Sequence, residues 1–262
     1  MRTGNLPRPA DWNQNVGRWV KRLASLLVVA TFSAAAQPSE PLDAWARVLD
    51  AYVDGRGRVD FPRLAANPDE LRAYVDYIAA VSPRLTPDAF PSADAELAYY
   101  LNSYNALAMY NVIDSGIPRS LASFFKKFIF FYWKKFNVGG EKISLYRYEN
   151  DVIRRLGDAR VHFALNCMSI SCPQLPRVPF TAKSVQTQLD AETRRFFAEA
   201  RNLRVDHARR TVEVSEILDF YTEDFLATDP SLIAYINRYR NDQIPAGYAV
   251  EFIDYDWTVN RQ

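Results

Sequence analysis

His162, Cys167 and Cys172 fall within Arg160-Val161-His162-Phe163-Ala164-Leu165-Asn166-Cys167-Met168-Ser169-Ile170-Ser171-Cys172-Pro173, a stretch that holds both cysteines of the chain and one of its two histidines. Imidazole and thiol are the side chains most readily tuned to react near neutral pH. An imidazole that draws the proton from a thiol leaves a thiolate able to attack an acyl carbon. The pairing points to a thiol-dependent hydrolase or acyl transferase, with Cys167 as nucleophile and His162 as base. Asn102, Asn105 and Glu149 are candidates for the group that orients the base, and an amide can also donate to a developing oxyanion. The same residues would equally serve as a buried histidine beside two small core thiols.

The elements around these residues set which reading is feasible. Val161, Phe163 and Leu165 alternate with His162, Ala164 and Asn166, so the period predicts a half-buried interior strand over 160–166. Met168 to Pro173 reads as a loop. His162 and Cys167 then meet only if the chain turns immediately after Asn166. Cys172 precedes Pro173, which restricts its backbone, so Cys167 is the better marker of a pocket. A long helix is predicted over 94–115, stopped by Gly116 and Pro118. Leu97, Leu101, Tyr104 and Ala108 form its apolar row. Asn102 and Asn105 share a neighbouring face, where burial demands partners for both amides. Those partners are either plain backbone groups or the working parts of a site.

Arg18, Lys21 and Arg22 precede an apolar run from Leu23 to Phe32, and Ala34-Ala35-Ala36 offers small residues before Gln37. This order is that of a secretory signal peptide over 1–36, with Val16 as a candidate start and a single globular domain over 37–262. The apolar run is too short for a stable span, and no stable transmembrane anchor is expected after processing. Cleavage would leave 226 of the 262 residues; loss of five basic residues and one acidic residue would change the net charge from +1 to −3. That is no nucleic-acid footprint. The expected partner is a small-molecule or peptide ligand, and the expected place periplasmic or secreted. Two cysteines make no disulfide framework, though they could form one bridge in an oxidising compartment. One histidine beside them falls short of a zinc ligand set, so neither metal nor cofactor is expected.

The rest of the chain mixes helices and strands without a βαβ rhythm. Helices are predicted over 42–53, over 64–81 with a break at Pro68, and near 183–200, 216–226 and 231–240. Strands are predicted near 203–206, 210–214 and 249–254. The fold class is α+β, with a single mainly antiparallel sheet and packed helices. Phe124 to Phe136 reads FFKKFIFFYWKKF, four lysines among nine apolar or aromatic residues. A membrane-surface element has this composition. The stronger expectation is a core-packing segment whose lysines reach outward.

Several motifs together resemble an uncharacterised family, domain of unknown function 547. They are Asn102-Ser103-Tyr104-Asn105-Ala106-Leu107, Val138-Gly139-Gly140 with Ser144-Leu145 and Glu149, and His162-Phe163-Ala164-Leu165-Asn166-Cys167 through Ser171-Cys172-Pro173. Leu189-Asp190-Ala191 with Arg195-Phe196-Phe197, Phe220-Tyr221 with Asp224-Phe225, and Asp254-Tyr255-Asp256-Trp257 with Asn260 complete the likeness, which covers about residues 95–262. Asn150 follows Glu149 where the family pattern often has a histidine. The resemblance implies a shared pocket around these residues and carries no activity with it. Three readings stand: the thiol-dependent enzyme, a non-catalytic ligand-binding or scaffold module with Cys167 and Cys172 as a structural pair, and a thiol relay. The relay is weakest, because active redox pairs usually sit closer, as in C-x-x-C.

Overall fold

A computed structural model describes residues 39–262. The leader expected over 1–36 lies outside the described residues. Helix α1 (Ser39–Tyr52) is followed by α2 (Phe61–Ala66) and α3 (Asp69–Ala80), separated at Pro68. Trp45 of α1 stacks on Tyr74 of α3 at 5.7 Å, and α3 packs on α4 (Ala93–Asp114).

Helix α4 is the spine. Ser92 caps it by accepting from the Ala95 amide, and Asp94 and Glu96 place negative charge at the positive end of its dipole. Gly116 closes it in the left-handed conformation (φ +74°), and the Ile117 amide turns back to the Val112 carbonyl at 2.9 Å. Leu97, Leu101, Ala106, Ala108, Met109 and Val112 are all buried, so the helix is surrounded rather than one-sided.

After α5 (Phe124–Lys127) and a π-helical turn (Phe128–Trp133), strands β1 (Lys135–Val138) and β2 (Glu141–Ser144) form an antiparallel hairpin. Its turn is Gly139-Gly140, with φ +54° and +82°, the sign that a tight two-residue hairpin turn requires. Ser144 caps α6 (Leu145–Arg147), and a π-helical turn over Tyr148–Ile153 presents Glu149. The aromatic–lysine segment departs from the expected core packing. Phe130 and Phe136 are buried, but Phe125, Phe128, Ile129, Tyr132 and Trp133 are exposed.

The predicted strand over 160–166 is instead a 3-10 helix, Ala159–Phe163, capped by Asp158. The alternation that suggested a strand has another cause. Val161 and Leu165 enter the core around α4, whereas Phe163 enters a second core with Phe196, Phe197 and Phe225. Side chains sent alternately to two cores mimic the two-residue period of a sheet.

The second core is built by α7 (Val185–Ala198), β3 (Leu203–Asp206), β4 (Thr211–Ser215), α8 (Ile217–Phe220), α9 (Thr222–Leu226), α10 (Leu232–Asn237) and β5 (Ala249–Ile253). The α+β class stands, but the single sheet does not. Among the described residues the hairpin β1–β2 is one sheet, and β3-β4-β5 is another. In the second sheet β4 pairs antiparallel with β3 and parallel with β5, from Thr211↔Ala249 to Ser215↔Ile253. The parallel pair arises because α8–α10 carry the chain back to the starting end of the sheet before β5 begins.

Candidate functional site

Glu149 comes to the site on the turn after α6, His162 on the 3-10 helix, and Tyr221 and Asp224 on α8–α9. Tyr255 and Trp257 arrive on the segment after β5. Glu149, His162, Tyr221, Tyr255 and Trp257 line a cavity of about 340 Å³ with Tyr104, Lys127, Phe131, Arg154, Cys167 and Phe220, while Asp224 bonds His162 from outside that lining.

The imidazole of His162 is 3% exposed and engages Asp224 Oδ2 through Nε2 at 2.7 Å. Among the described residues Nδ1 takes no hydrogen bond. The ring stacks on Tyr221 at 3.8 Å and meets the edge of Phe225 at 5.5 Å. Arg154 grips the same carboxylate with two bonds, Nε to Oδ2 at 2.7 Å and Nη2 to Oδ1 at 2.9 Å. Burial pushes the Asp224 carboxyl toward its neutral form. The hydrogen bonds from His162 and Arg154 outweigh burial and hold it well below the usual carboxylate range.

Glu149 is buried and accepts from two phenols, Tyr104 at 2.9 Å and Tyr221. Burial, reinforced by the charge of Glu149, pushes both phenols far above their ordinary values, so they remain donors. Tyr221 thus joins two parts of the site: its ring supports the imidazole and its hydroxyl satisfies Glu149.

The thiol expected at Cys167 is not free: Cys167 is bonded to Cys172, with the α-carbons 6.2 Å apart. The loop permits this because Met168 adopts φ +66°, which turns the chain straight after Cys167 and brings Cys172 within bridging distance. The Tyr255 hydroxyl lies 3.3 Å from Cys167 Sγ and 3.1 Å from Cys172 Sγ.

The two helical asparagines work behind the site. Asn105 donates to the Ala164 carbonyl at 2.9 Å and accepts from the Asn166 amide at 2.8 Å, fixing the chain just ahead of Cys167. Asn102 makes the same double clasp on Phe180, donating to its carbonyl at 2.8 Å and accepting from its amide at 2.9 Å. Asn102 lines a different cavity, of about 360 Å³, beside Tyr99 and Phe90. Of the five expected site residues, His162, Cys167 and Glu149 share one cavity and the two amides do not line it. No side chain of Asn102 or Asn105 reaches the imidazole; both amides are spent on backbone. Asp224, Arg154, Tyr221 and Tyr255 were not expected as site residues. The signal for three of them lay in Tyr221, Asp224 and Tyr255 of the family-like motifs, but nothing in their spacing pairs Asp224 with a histidine 62 positions earlier.

Residues 89–197 match the model of a family described as Protein of unknown function, DUF547. The motif likeness to this family is thus found again over this stretch, which is less than half of the 262 residues. The stretch contains α4, the Glu149 turn, His162 and both cysteines, and it ends within α7. The matched stretch supplies His162 and Glu149, whereas Asp224, Tyr221, Tyr255 and Trp257 come from beyond it. No curated protein and no solved structure matches the chain. Among the described residues no group of three or more His, Cys, Asp or Glu side chains could hold a metal ion.

Proposed function

We propose that the chain is an exported hydrolase or acyl transferase in which His162, oriented by Asp224, is the general base. One observation carries this reading: an imidazole on the wall of a cavity has Nε2 fixed by a carboxylate and Nδ1 without a hydrogen-bond partner among the described residues. A carboxylate so placed sets the tautomer and stabilises the imidazolium formed during proton transfer. Nδ1 takes a proton from a water or hydroxyl, the oxygen attacks the acyl carbon, and the proton passes to the leaving group. Lys127, on the same wall, supplies positive charge for the developing oxyanion. The aromatic lining of Phe131, Phe220, Tyr221, Tyr255 and Trp257 favours a flat or apolar acyl substrate. A thiolate at Cys167 enters only after the Cys167–Cys172 bond is reduced. The disulfide is in keeping with an oxidising compartment.

A second reading has a specific observation in its favour. With the cysteines bridged and Asn102 and Asn105 spent on backbone, the cavity would serve as a binding site without chemistry. Hydrolysis of p-nitrophenyl butyrate, with and without dithiothreitol, separates the two. The acid–base reading expects turnover without reductant, and a fall of about 10²- to 10⁴-fold in kcat/KM for His162→Ala. Turnover only with dithiothreitol would move the chemistry to Cys167. Absence of acyl turnover in both redox states would leave the binding module.

A further inference from the structure

The aromatic–lysine segment is exposed where large aromatic side chains are normally buried. Phe125 is 70% and Trp133 71% exposed, and Phe128, Ile129 and Tyr132 between them are also exposed. Phe128 stacks on Tyr132 at 6.0 Å and lies 6.3 Å from Trp133, and Tyr132 stacks on the exposed Tyr146 at 4.3 Å.

The charge on this patch is of one sign and one kind. Five of the chain's seven lysines fall within residues 126–142. The chain has 25 arginines, yet none lies between Arg119 and Arg147, and no carboxylate lies between Asp114 and Glu141. Lys134 is paired with Asp114, and Lys127 sits over the Trp257 ring at 3.7 Å within reach of the charge of Glu216. Lys126 and Lys135 stand exposed. Protein–protein interfaces are enriched in Arg and depleted in Lys. Bilayer interfaces favour Trp and Tyr at headgroup depth, with lysines reaching to lipid phosphates. No helix among the described residues is long and apolar enough to cross a membrane, so the segment's apolar groups can enter a bilayer only from its surface.

We propose that residues 124–135 are a docking surface for an anionic lipid bilayer, with the rings of Phe125, Tyr132 and Trp133 seated among the headgroups and Lys126 and Lys135 on the phosphates. The same segment contributes Lys127, Phe131 and Tyr132 to the wall of the His162 cavity, so docking sets that wall against the lipid. The surface stands on its own exposure and charge, independently of the acid–base reading.

Flotation of the full chain with vesicles of phosphatidylcholine and phosphatidylglycerol tests it, against vesicles of phosphatidylcholine alone. Two double variants, Phe125→Ser with Trp133→Ser and Lys126→Gln with Lys135→Gln, alter exposed side chains outside the cavity lining, and circular dichroism checks their fold. They leave Leu23–Phe32 unchanged, so any loss of binding belongs to the patch. The expected result is binding to the anionic vesicles, weakened by salt and reduced about tenfold or more in each double variant. Absence of flotation with anionic vesicles overturns the proposal, as does equal flotation of wild type and both variants. Self-association that the aromatic variant abolishes, without vesicle binding, also overturns it and assigns the patch to a second copy of the chain.

Discussion

At the scale of single residues, Asp224 decides the character of the site. It accepts from an imidazole and a guanidinium at once, and either partner alone would leave a half-buried charge with less to offset its desolvation. Its folded pKa is depressed, so it binds a proton more weakly in the folded than in the unfolded chain. The stability this supplies is whole above the ordinary Asp value, about 3.9, and is lost as pH falls from there toward the lower folded value. Asp224→Asn should therefore cost roughly 2 kcal/mol at pH 7 and flatten the acid limb of the stability curve below about pH 4. Urea titrations of both proteins from neutral to acid pH check this; parallel curves would detach Asp224 from the acid response. Asn105→Ala makes a different demand, because it orphans the Asn166 amide and the Ala164 carbonyl together. A loss of about 2 kcal/mol in urea is expected, with no change in the pH dependence. The burial of Asn102 and Asn105 was legible in the sequence, since a helix with Leu97, Leu101 and Tyr104 on one row leaves neighbouring amides little access to water. Their backbone partners were not, for Phe180 and Ala164 reach α4 only through the tertiary fold.

At the scale of elements, the readable parts were those with their own punctuation. Helix α4 carries a Ser cap, acids in its first turn and a Gly-Pro stop, and it forms within a residue of the expected bounds. The stretch around His162 has no such marks, and there a two-residue alternation arose from side chains divided between two cores. For Phe124–Phe136, composition could not tell whether the rings face protein or surroundings, because both settings reward aromatic area. The hairpin β1–β2 allows a sharper test. Gly139 and Gly140 both have positive φ, but only at Gly139 would a β-carbon collide with the Ser82 side chain, whereas at Gly140 it would meet open space. Both alanine variants bear the backbone cost of about 1 kcal/mol, and Gly139→Ala should bear about 1–2 kcal/mol more from displacing Ser82. Thermal melts compare them; an equal loss in both would mean that Ser82 yields without cost.

At the scale of the whole molecule, the site loop is tied from several directions, and the disulfide is one tie among them. Asn166 donates to the Pro173 carbonyl at 2.6 Å, and Arg201 holds the Ile170 carbonyl at 2.6 Å. The C-terminal segment crosses the loop, with the Ile170 amide on the Thr258 carbonyl at 2.8 Å and the Asn260 amide on the Met168 carbonyl at 3.0 Å. It then bridges Val59 near the start of the described chain, joining the α1–α3 side to the site. The Cys167–Cys172 bond closes a loop of sequence separation 5, and loop-closure entropy for so short a ring is worth only about 2 kcal/mol. The C-terminal segment contributes more: its backbone bonds, buried Val259, and the Tyr255 and Trp257 rings that wall the cavity. Cys172→Ser should therefore lower stability in urea by about 2 kcal/mol while the loop stays resistant to proteolysis. Truncation after Asp254 should cost several times as much and expose residues 166–173 to cleavage, because it removes the C-terminal segment that crosses them. If the Cys172→Ser protein were cleaved in that loop as readily as the truncated one, the bridge rather than the C-terminal segment would be what holds the site in shape.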